Sequence, residues 1–214
     1  MTVPHRQPEG AETGVGIIIL AAGESSRLGS PKQLLMVNDM PMLRHVVLQA
    51  LAVHNSTVVT VFGGNYEQTA QTISDLPVHP ALNMDWKTGM GSSIRTGLKE
   101  LLLLDPDLAR VVILLADQPL ITSNWISRLL RAAEFQNVSI EAAEYNGEVG
   151  VPALFKRNMF NRLLQLNGKE GAKKIIRDFG SEVATVSCEE ASVDIDTMED
   201  YQKMLIENLV ATIS

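Results

Sequence analysis

Two hydrophobic rhythms alternate along the chain. Ile17-Ile-Ile-Leu20 is an unbroken aliphatic run, as is most of Val111 to Ala116, and runs of this kind predict strands buried on both faces, as at the centre of a parallel sheet. Thr57 to Phe62 is β-branched and apolar and ends at Gly63-Gly64, and Val78 to Leu82 is a shorter strand. Between these runs the apolar spacing changes to that of a helix. Leu43, Val46, Val47, Ala50 and Leu51 predict a helix over Pro41 to Val53, and Asn65 to Ser74 reads as another. Ser92 to Leu104 carries Ile94, Leu98, Leu101 and Leu102 on one side, with Ser92 as its N-cap and Asp105-Pro106 as its stop.

Strands and helices alternating at these intervals predict an α/β fold, a mostly parallel sheet with helices on both faces. Beyond residue 135 the rhythm loosens. Val138 to Ala142 and Glu148 to Leu154 predict strands of a small antiparallel portion, followed by helices over Lys156 to Leu166 and Glu170 to Asp178. Val183 to Ser187 is a late strand and Met198 to Val210 a closing helix. Residues 1–14, polar and carrying Pro4 and Pro8, read as a flexible tail, and 15–214 as one domain.

The first strand runs into Leu20-Ala21-Ala22-Gly23-Glu-Ser25-Ser26-Arg27 and then Lys32. Alanines and a glycine at a strand's carboxyl end let a phosphate or flat ring approach the backbone. Ser25, Ser26 and free backbone N–H groups are donors for phosphate oxygens. Arg27 offers a planar fork and Lys32 a mobile point charge. A Walker A loop requires lysine directly after its second glycine, and here Ser30 and Pro31 intervene before Lys32. The dinucleotide fingerprint requires its glycines after the strand, whereas Gly14 and Gly16 come before it.

The totals narrow the field. A chain of 214 residues can bury one sizeable core, and 45% hydrophobic with 20% charged residues is a soluble globular balance. No apolar run is long enough to span a bilayer. A net charge of −7 repels polyanions, so a nucleic-acid partner is not expected and any phosphate site must be local. One cysteine, Cys188, rules out an internal disulfide and fits a reducing, cytoplasmic setting.

Asp117 follows the second fully apolar strand, where ligand sites of open α/β sheets lie. Asp194 and Asp196 share one side of an extended segment, while Thr197 and Asp200 have the spacing of a capping box. Like charges about 4 Å apart repel by roughly 4 kcal/mol at an effective dielectric near 20. Carboxylates facing a triphosphate therefore require a divalent cation between them, and hard oxygen ligands suit Mg²⁺. Thr88-Gly-Met-Gly91-Ser92-Ser93 opens a helix whose N-terminus and hydroxyls are further donors for a nucleotide.

Taken together the segments resemble the MobA-like nucleotidyltransferases, and within them the molybdenum cofactor cytidylyltransferases. The resemblance rests on Leu20-Ala-Ala-Gly23 with Ser26-Arg27-x-Gly29-x-x-Lys32-x-Leu34, Trp86-x-x-Gly89-Met-x-Ser92-Ser-Ile94, Asp117-Gln-Pro119, Gly150-Val-Pro152-x-x-Phe155 and Asp194-Ile-Asp-Thr-x-Glu-Asp-Tyr201. It implies a Rossmann-like nucleotidyltransferase fold and transfer of CMP from CTP to the phosphate of the molybdenum-pterin cofactor, with release of pyrophosphate. Arg27 and Lys32 would neutralise the developing charge, and Leu20, Ala21, Ala22, Gly23, Ser26, Ser92 and Ser93 would hold the nucleotide. Asp117 and Asp196, assisted by Asp194, would hold Mg²⁺. Where relatives carry Gly-Asp, this chain has Gly168-Lys-Glu-Gly-Ala-Lys173, and Lys169 and Lys173 are candidates for an acceptor phosphate. A molybdenum enzyme is the implied client. Two other readings remain open at this point: another NTP or another small phosphorylated acceptor such as a sugar phosphate, and a non-catalytic cofactor-binding maturation partner.

Overall fold

The computed structural model describes residues 14–23 and 28–213. The tail up to residue 13 and the segment Glu24–Arg27, including Ser25, Ser26 and Arg27, lie outside the described residues. In chain order the strands are β1 (Val15–Leu20), β2 (Met36–Val37), β3 (Met40–Pro41), β4 (Ser56–Phe62), β5 (His79–Leu82), β6 (Arg110–Leu115), β7 (Ile140–Tyr145), β8 (Glu148–Lys156) and β9 (Val183–Ser187). The helices are α1 (Met42–Leu51), α2 (Tyr66–Gln71), α3 (Met90–Leu104), α4 (Ser123–Phe135), α5 (Phe160–Leu164), α6 (Ala172–Phe179) and α7 (Met198–Ile213).

Seven strands form one sheet in the order β5-β4-β1-β6-β8-β7-β9. β5, β4, β1 and β6 are parallel, and β8 runs antiparallel to both β6 and β7. β9 closes the far edge parallel to β7. From β1 the chain builds outward through β4 and β5 and then returns to place β6 on the other side. This reversal between β1 and β6 is where open α/β sheets bind ligands.

Side chains alternate across each strand, so an apolar run in a central strand feeds two cores. Ile17 and Ile19 face α1 and α4, among Leu43, Val47, Trp125 and Leu129. Ile18 faces the opposite side, with Ile94, Leu98 and Leu101 of α3, Leu163 of α5 and Ile175 of α6. A third, smaller cluster of Val37, Met42, Ile195 and Met204 lies beneath the two-stranded β2–β3 ribbon and ties α7 to the domain. The ribbon turns on Asn38 and Asp39, at φ 48° and 63°, the left-handed pair that a tight hairpin turn demands.

The elements depart from the sequence expectation in four places. α4 stands where the pattern predicted none, although Trp125, Ile126, Leu129, Leu130 and Ala133 form a helical stripe, and the Thr122 hydroxyl caps it by accepting from Trp125 N at 3.2 Å. α3 begins at Met90 with Gly89 as its N-cap, so Ser92 lies inside the first turn and is not the cap. The backbone decides this: Gly89 sits at φ +123°, and the helix is already under way by Ser92. The helix expected over Lys156 to Leu166 is a 3-10 turn, Arg157–Met159, followed by the short α5. The β2–β3 ribbon, too short to show a period, was not foreseen.

Candidate active site

At the switch point β1 and β6 end side by side, Leu20 in register with Leu115. Ala21 N donates to Val61 O at 2.9 Å, and Ala116 N donates to Leu20 O at 3.1 Å. The two chain exits are therefore fixed against one another. A cleft of about 540 Å³ opens there, and Leu20, Ala22, Gly23, Lys32, Ser93 and Asp117 line it. Small side chains at Ala22 and Gly23 leave the backbone as its wall, as expected from their position.

Lys32 starts a 3-10 turn that follows Pro31. Its ammonium donates to Asp117 Oδ2 at 2.5 Å and to Asp196 Oδ1 at 2.8 Å. Burial works to lower the lysine's pKa, but Asp117 and Asp196 outweigh it and hold Lys32 above its ordinary value. Gln33, only 2% exposed, anchors the turn by donating to the carbonyls of Ala21 at 3.0 Å and Gly23 at 3.3 Å. The lysine's backbone is thus pinned to the strand end it serves.

The two acidic segments meet through the main chain: Ile195 N donates to Asp117 O at 3.0 Å. Ile195 is fully buried between Asp194 and Asp196, so its anchoring turns both flanking carboxylates away from the core. Thr197 and Asp200 form the expected capping box, with Asp200 N to Thr197 Oγ1 at 3.2 Å and Thr197 N to Asp200 Oδ2 at 2.8 Å. Tyr201 Oη donates to Met36 O at 2.7 Å and fastens α7 to the ribbon. Desolvation, and then the charges of Asp117 and Asp196, push the Asp194 carboxyl above the ordinary carboxylate range. Gln118 and Lys32 pull it the other way.

The donor set fits a hard divalent cation. Asp117 Oδ1 is buried and lacks a hydrogen-bond partner, which is costly for a carboxylate oxygen unless a cation completes it. Among the described residues no group of three or more His, Cys, Asp or Glu side chains is arranged to hold a metal. Two carboxylates alone match an ion that takes its remaining ligands from phosphate and water.

On the opposite wall, Ser93 lines the cleft but Ser92 does not. The Ser92 hydroxyl is committed to the loop, donating to Gly89 O at 2.7 Å and Asp85 O at 3.1 Å and accepting from Asn83 Nδ2 at 2.8 Å. Asn83 also donates to Ser93 Oγ at 3.0 Å. Trp86 and Lys87 complete this wall, the Lys87 ammonium lying 5.3 Å from the indole centroid. Gln33, Asn83 and Lys87 escaped the sequence reading. Asn83 carries a usable signal, since it follows the carboxyl end of β5 as Asp117 follows that of β6.

Lys169 and Lys173 line a separate cleft of about 760 Å³ between α6 and the β8 and β9 strands, with Val149, Ile176 and Arg177. Lys173 is paired with Glu148 and lies in the field of Asp194. The two clefts share a wall: Met90 lines the first, and its sulfur lies against Gly171 of the second.

Residues 17–186 match the model of the MobA-like NTP transferase domain. The chain belongs to that family. The GlmU bifunctional protein of Legionella pneumophila strain Philadelphia 1 is 30% identical over 149 residues, 66% of this chain and 31% of GlmU. The chain therefore spans about a third of the length of that relative. The crystal structure of a homologue of Mycobacterium tuberculosis Rv0371c, from Mycobacterium sp. strain JC1, superposes with a TM-score of 0.78 at 27% identity, covering 92% of this chain and 98% of the other. A CMP:2-keto-3-deoxy-manno-octonic acid synthetase complexed with CTP shares the fold, with a TM-score of 0.69 at 16% identity over 94% and 100% of the two chains. These likenesses agree with the Rossmann-like nucleotidyltransferase architecture of the sheet. Among the described residues no helix is long and apolar enough to cross a membrane.

Proposed function

We propose that the chain is a divalent-cation-dependent nucleotidyltransferase that moves CMP from CTP to the phosphate of the molybdenum-pterin cofactor. The observation that carries the reading is the meeting of Lys32, Asp117 and Asp196 at the mouth of the β1 turn. In the reaction an acceptor phosphate oxygen forms a bond to the α-phosphorus of CTP, the bond from that phosphorus to the bridging oxygen breaks, and pyrophosphate leaves. Bound Mg²⁺ would supply charge neutralisation between the carboxylates and the triphosphate.

The residues do the rest by position. Asp117 and Asp196 hold the cation, with Asp194 beside them as an assisting carboxylate. Leu20 to Gly23 and Ser93 form the nucleotide wall, and Ser92 acts there by holding the loop. Lys32, with Arg27 and Ser26 from the neighbouring segment, neutralises the phosphoryl oxygens as charge builds. Positioning and electrostatics supply most of the rate in such transfers, so no protein nucleophile is needed. The cleft of Lys169 and Lys173 takes the anionic acceptor, across the Met90 wall from the nucleotide. The Leu-Ala-Ala-Gly form of the turn and the CTP complex of the octonic acid synthetase support cytidine as the base. The product would pass to a molybdenum enzyme, in the cytoplasm.

Protein mixed with Mg²⁺, CTP and the pterin cofactor should release pyrophosphate, and GTP or ATP should serve at least tenfold less well. Equal turnover of all three would remove the cytidine assignment. A second reading keeps the transfer and changes the acceptor to another small phosphorylated molecule, because lysines recognise the phosphate whatever carries it. Pyrophosphate release with a sugar phosphate, and none with the pterin, would select it. A binding-only role in maturation would instead survive Asp117→Ala without loss of biological activity.

A further inference from the structure

We infer that Lys32 is a displaceable counter-ion, which occupies the place of the divalent cation until the triphosphate draws it away, so that metal and nucleotide bind as a coupled pair. This rests on the transferase reading for the identity of the two ligands. The geometry of the lysine is the starting point. Its ammonium bridges Asp117 Oδ2 at 2.5 Å and Asp196 Oδ1 at 2.8 Å, and a hard dication would draw on the same two carboxylates. Both cannot sit between those carboxylates, since ammonium and metal draw on the same negative charge and repel one another.

The backbone on both sides of the ion pairs is held. The backbone segments that carry the two carboxylates are fixed relative to each other by Ile195 N on Asp117 O, and the Thr197–Asp200 box holds the chain just beyond Asp196. The base of Lys32 is fixed by Pro31 in front and by Gln33 behind, clamped to Ala21 O. The ammonium itself is a point charge at the tip of a flexible four-carbon stem. The stem lines the same cleft as Gly23 and Ser93, so phosphate oxygens bound there offer the ammonium a second place to go.

The energetic consequence is a linkage. A cation arriving alone must evict the ammonium into solvent and lose its ion pairs. A cation arriving with a triphosphate finds the ammonium already taken up by phosphate oxygens. Coupling of this kind is reciprocal: the nucleotide raises metal affinity by the factor by which metal raises nucleotide affinity. The unpaired Asp117 Oδ1 fits this picture, because a monovalent ammonium satisfies one oxygen of that carboxylate and leaves the other waiting.

The test is Mn²⁺ binding by the full chain without nucleotide, read as free Mn²⁺ by electron paramagnetic resonance. Lys32→Met should bind Mn²⁺ at least tenfold more tightly than the wild type, although its nucleotide site has lost a cation. Lys32→Gln, which keeps hydrogen-bond donors for both carboxylates, should do the same and guards against a folding defect in the methionine variant. Lys32→Arg preserves the charge and should remain as weak a binder as the wild type. Mn²⁺ affinity unchanged or reduced in a folded Met or Gln variant overturns the inference, as does an arginine variant that binds as tightly as they do. Failure of the transferase reading would appear elsewhere, as absent pyrophosphate release by the wild type with every NTP.

Discussion

At the scale of the residue, the fold brings some charges together and strands another. Asp117 is 19% exposed in its side chain and sits at the end of a strand with little freedom to move. Its replacement by alanine should lower nucleotidyl transfer by about 10²–10³-fold, the usual cost of removing one preorganised electrostatic partner. Pyrophosphate release measures the loss, and a circular dichroism spectrum like that of the wild type confirms that the fold is kept. Glu141 is the stranded charge. It is fully buried on β7, neither carboxyl oxygen has a hydrogen-bond partner, and burial pushes its pKa up to about 7 against the opposing pull of Lys156. A carboxyl raised from the ordinary 4.5 to about 7 favours folding fully at acid pH and loses that contribution as pH rises through this window. At ~1.4 kcal/mol per unit the loss is a few kcal/mol. Glu141→Gln should therefore be the more stable protein at pH 8, and denaturant midpoints of the two should converge towards pH 4. A wild type as stable at pH 8 as the variant would contradict the assignment.

At the scale of the element, loops carry the site and strands merely aim it. The first turn of α3 and the loop before α6 are locked by close backbone contact, Gly91 N donating to Gly168 O at 3.1 Å. A Cβ at Gly89 would lie 2.1 Å from Gly168 O and would also strain a backbone at φ +123°. Gly89→Ala should thus cost about 1–3 kcal/mol, and it should weaken CTP binding because Gly89 and Ser93 line one wall. Melting temperature and a CTP titration read the two effects separately. Thr122→Ala is the contrast: it removes the cap of a helix whose Trp125 and Leu129 pack into the core. It should cost about 1 kcal/mol of stability and leave CTP affinity unchanged, since the cleft is formed by other elements. The same contrast explains what the sequence disclosed about elements. Strands β1 and β6 are legible because their middles are buried on both faces, so Ile17 to Leu20 and Val111 to Leu115 are unbroken apolar runs. α4 was missed although its stripe is present, and the β2–β3 ribbon because it has no period to show. Serine suits an N-cap, so the sequence favours Ser92, whereas Gly89, one residue before the helix, holds that position through its backbone.

At the scale of the whole molecule, stability and function are joined through the switch point. A ligand that binds only the folded form stabilises it by about 2.7 kcal/mol at a hundred times its dissociation constant. CTP with Mg²⁺ should therefore raise the melting temperature by several degrees, and each alone by less than half as much. A response to Mg²⁺ alone as large as that to the mixture would deny the coupling between the two. With a net charge of −7 the chain repels polyanions at a distance, so under the proposed function a triphosphate would depend on cations local to the cleft, such as Lys32 and Lys87. The sequence alone determined the class of fold, the turn that ends in Ala21, Ala22 and Gly23, and the residue types fit for phosphate and metal, because burial and turn geometry impose local patterns that composition cannot disguise. Only the tertiary structure decided that Lys32 reaches both Asp117 and Asp196, that Ser92 serves its loop, and that Glu141 is buried with no hydrogen-bond partner among the described residues. Those relations join positions far apart in the chain, and they are fixed by strand order and by single backbone hydrogen bonds such as that of Ile195 to Asp117, which leave no periodic trace in the residues themselves.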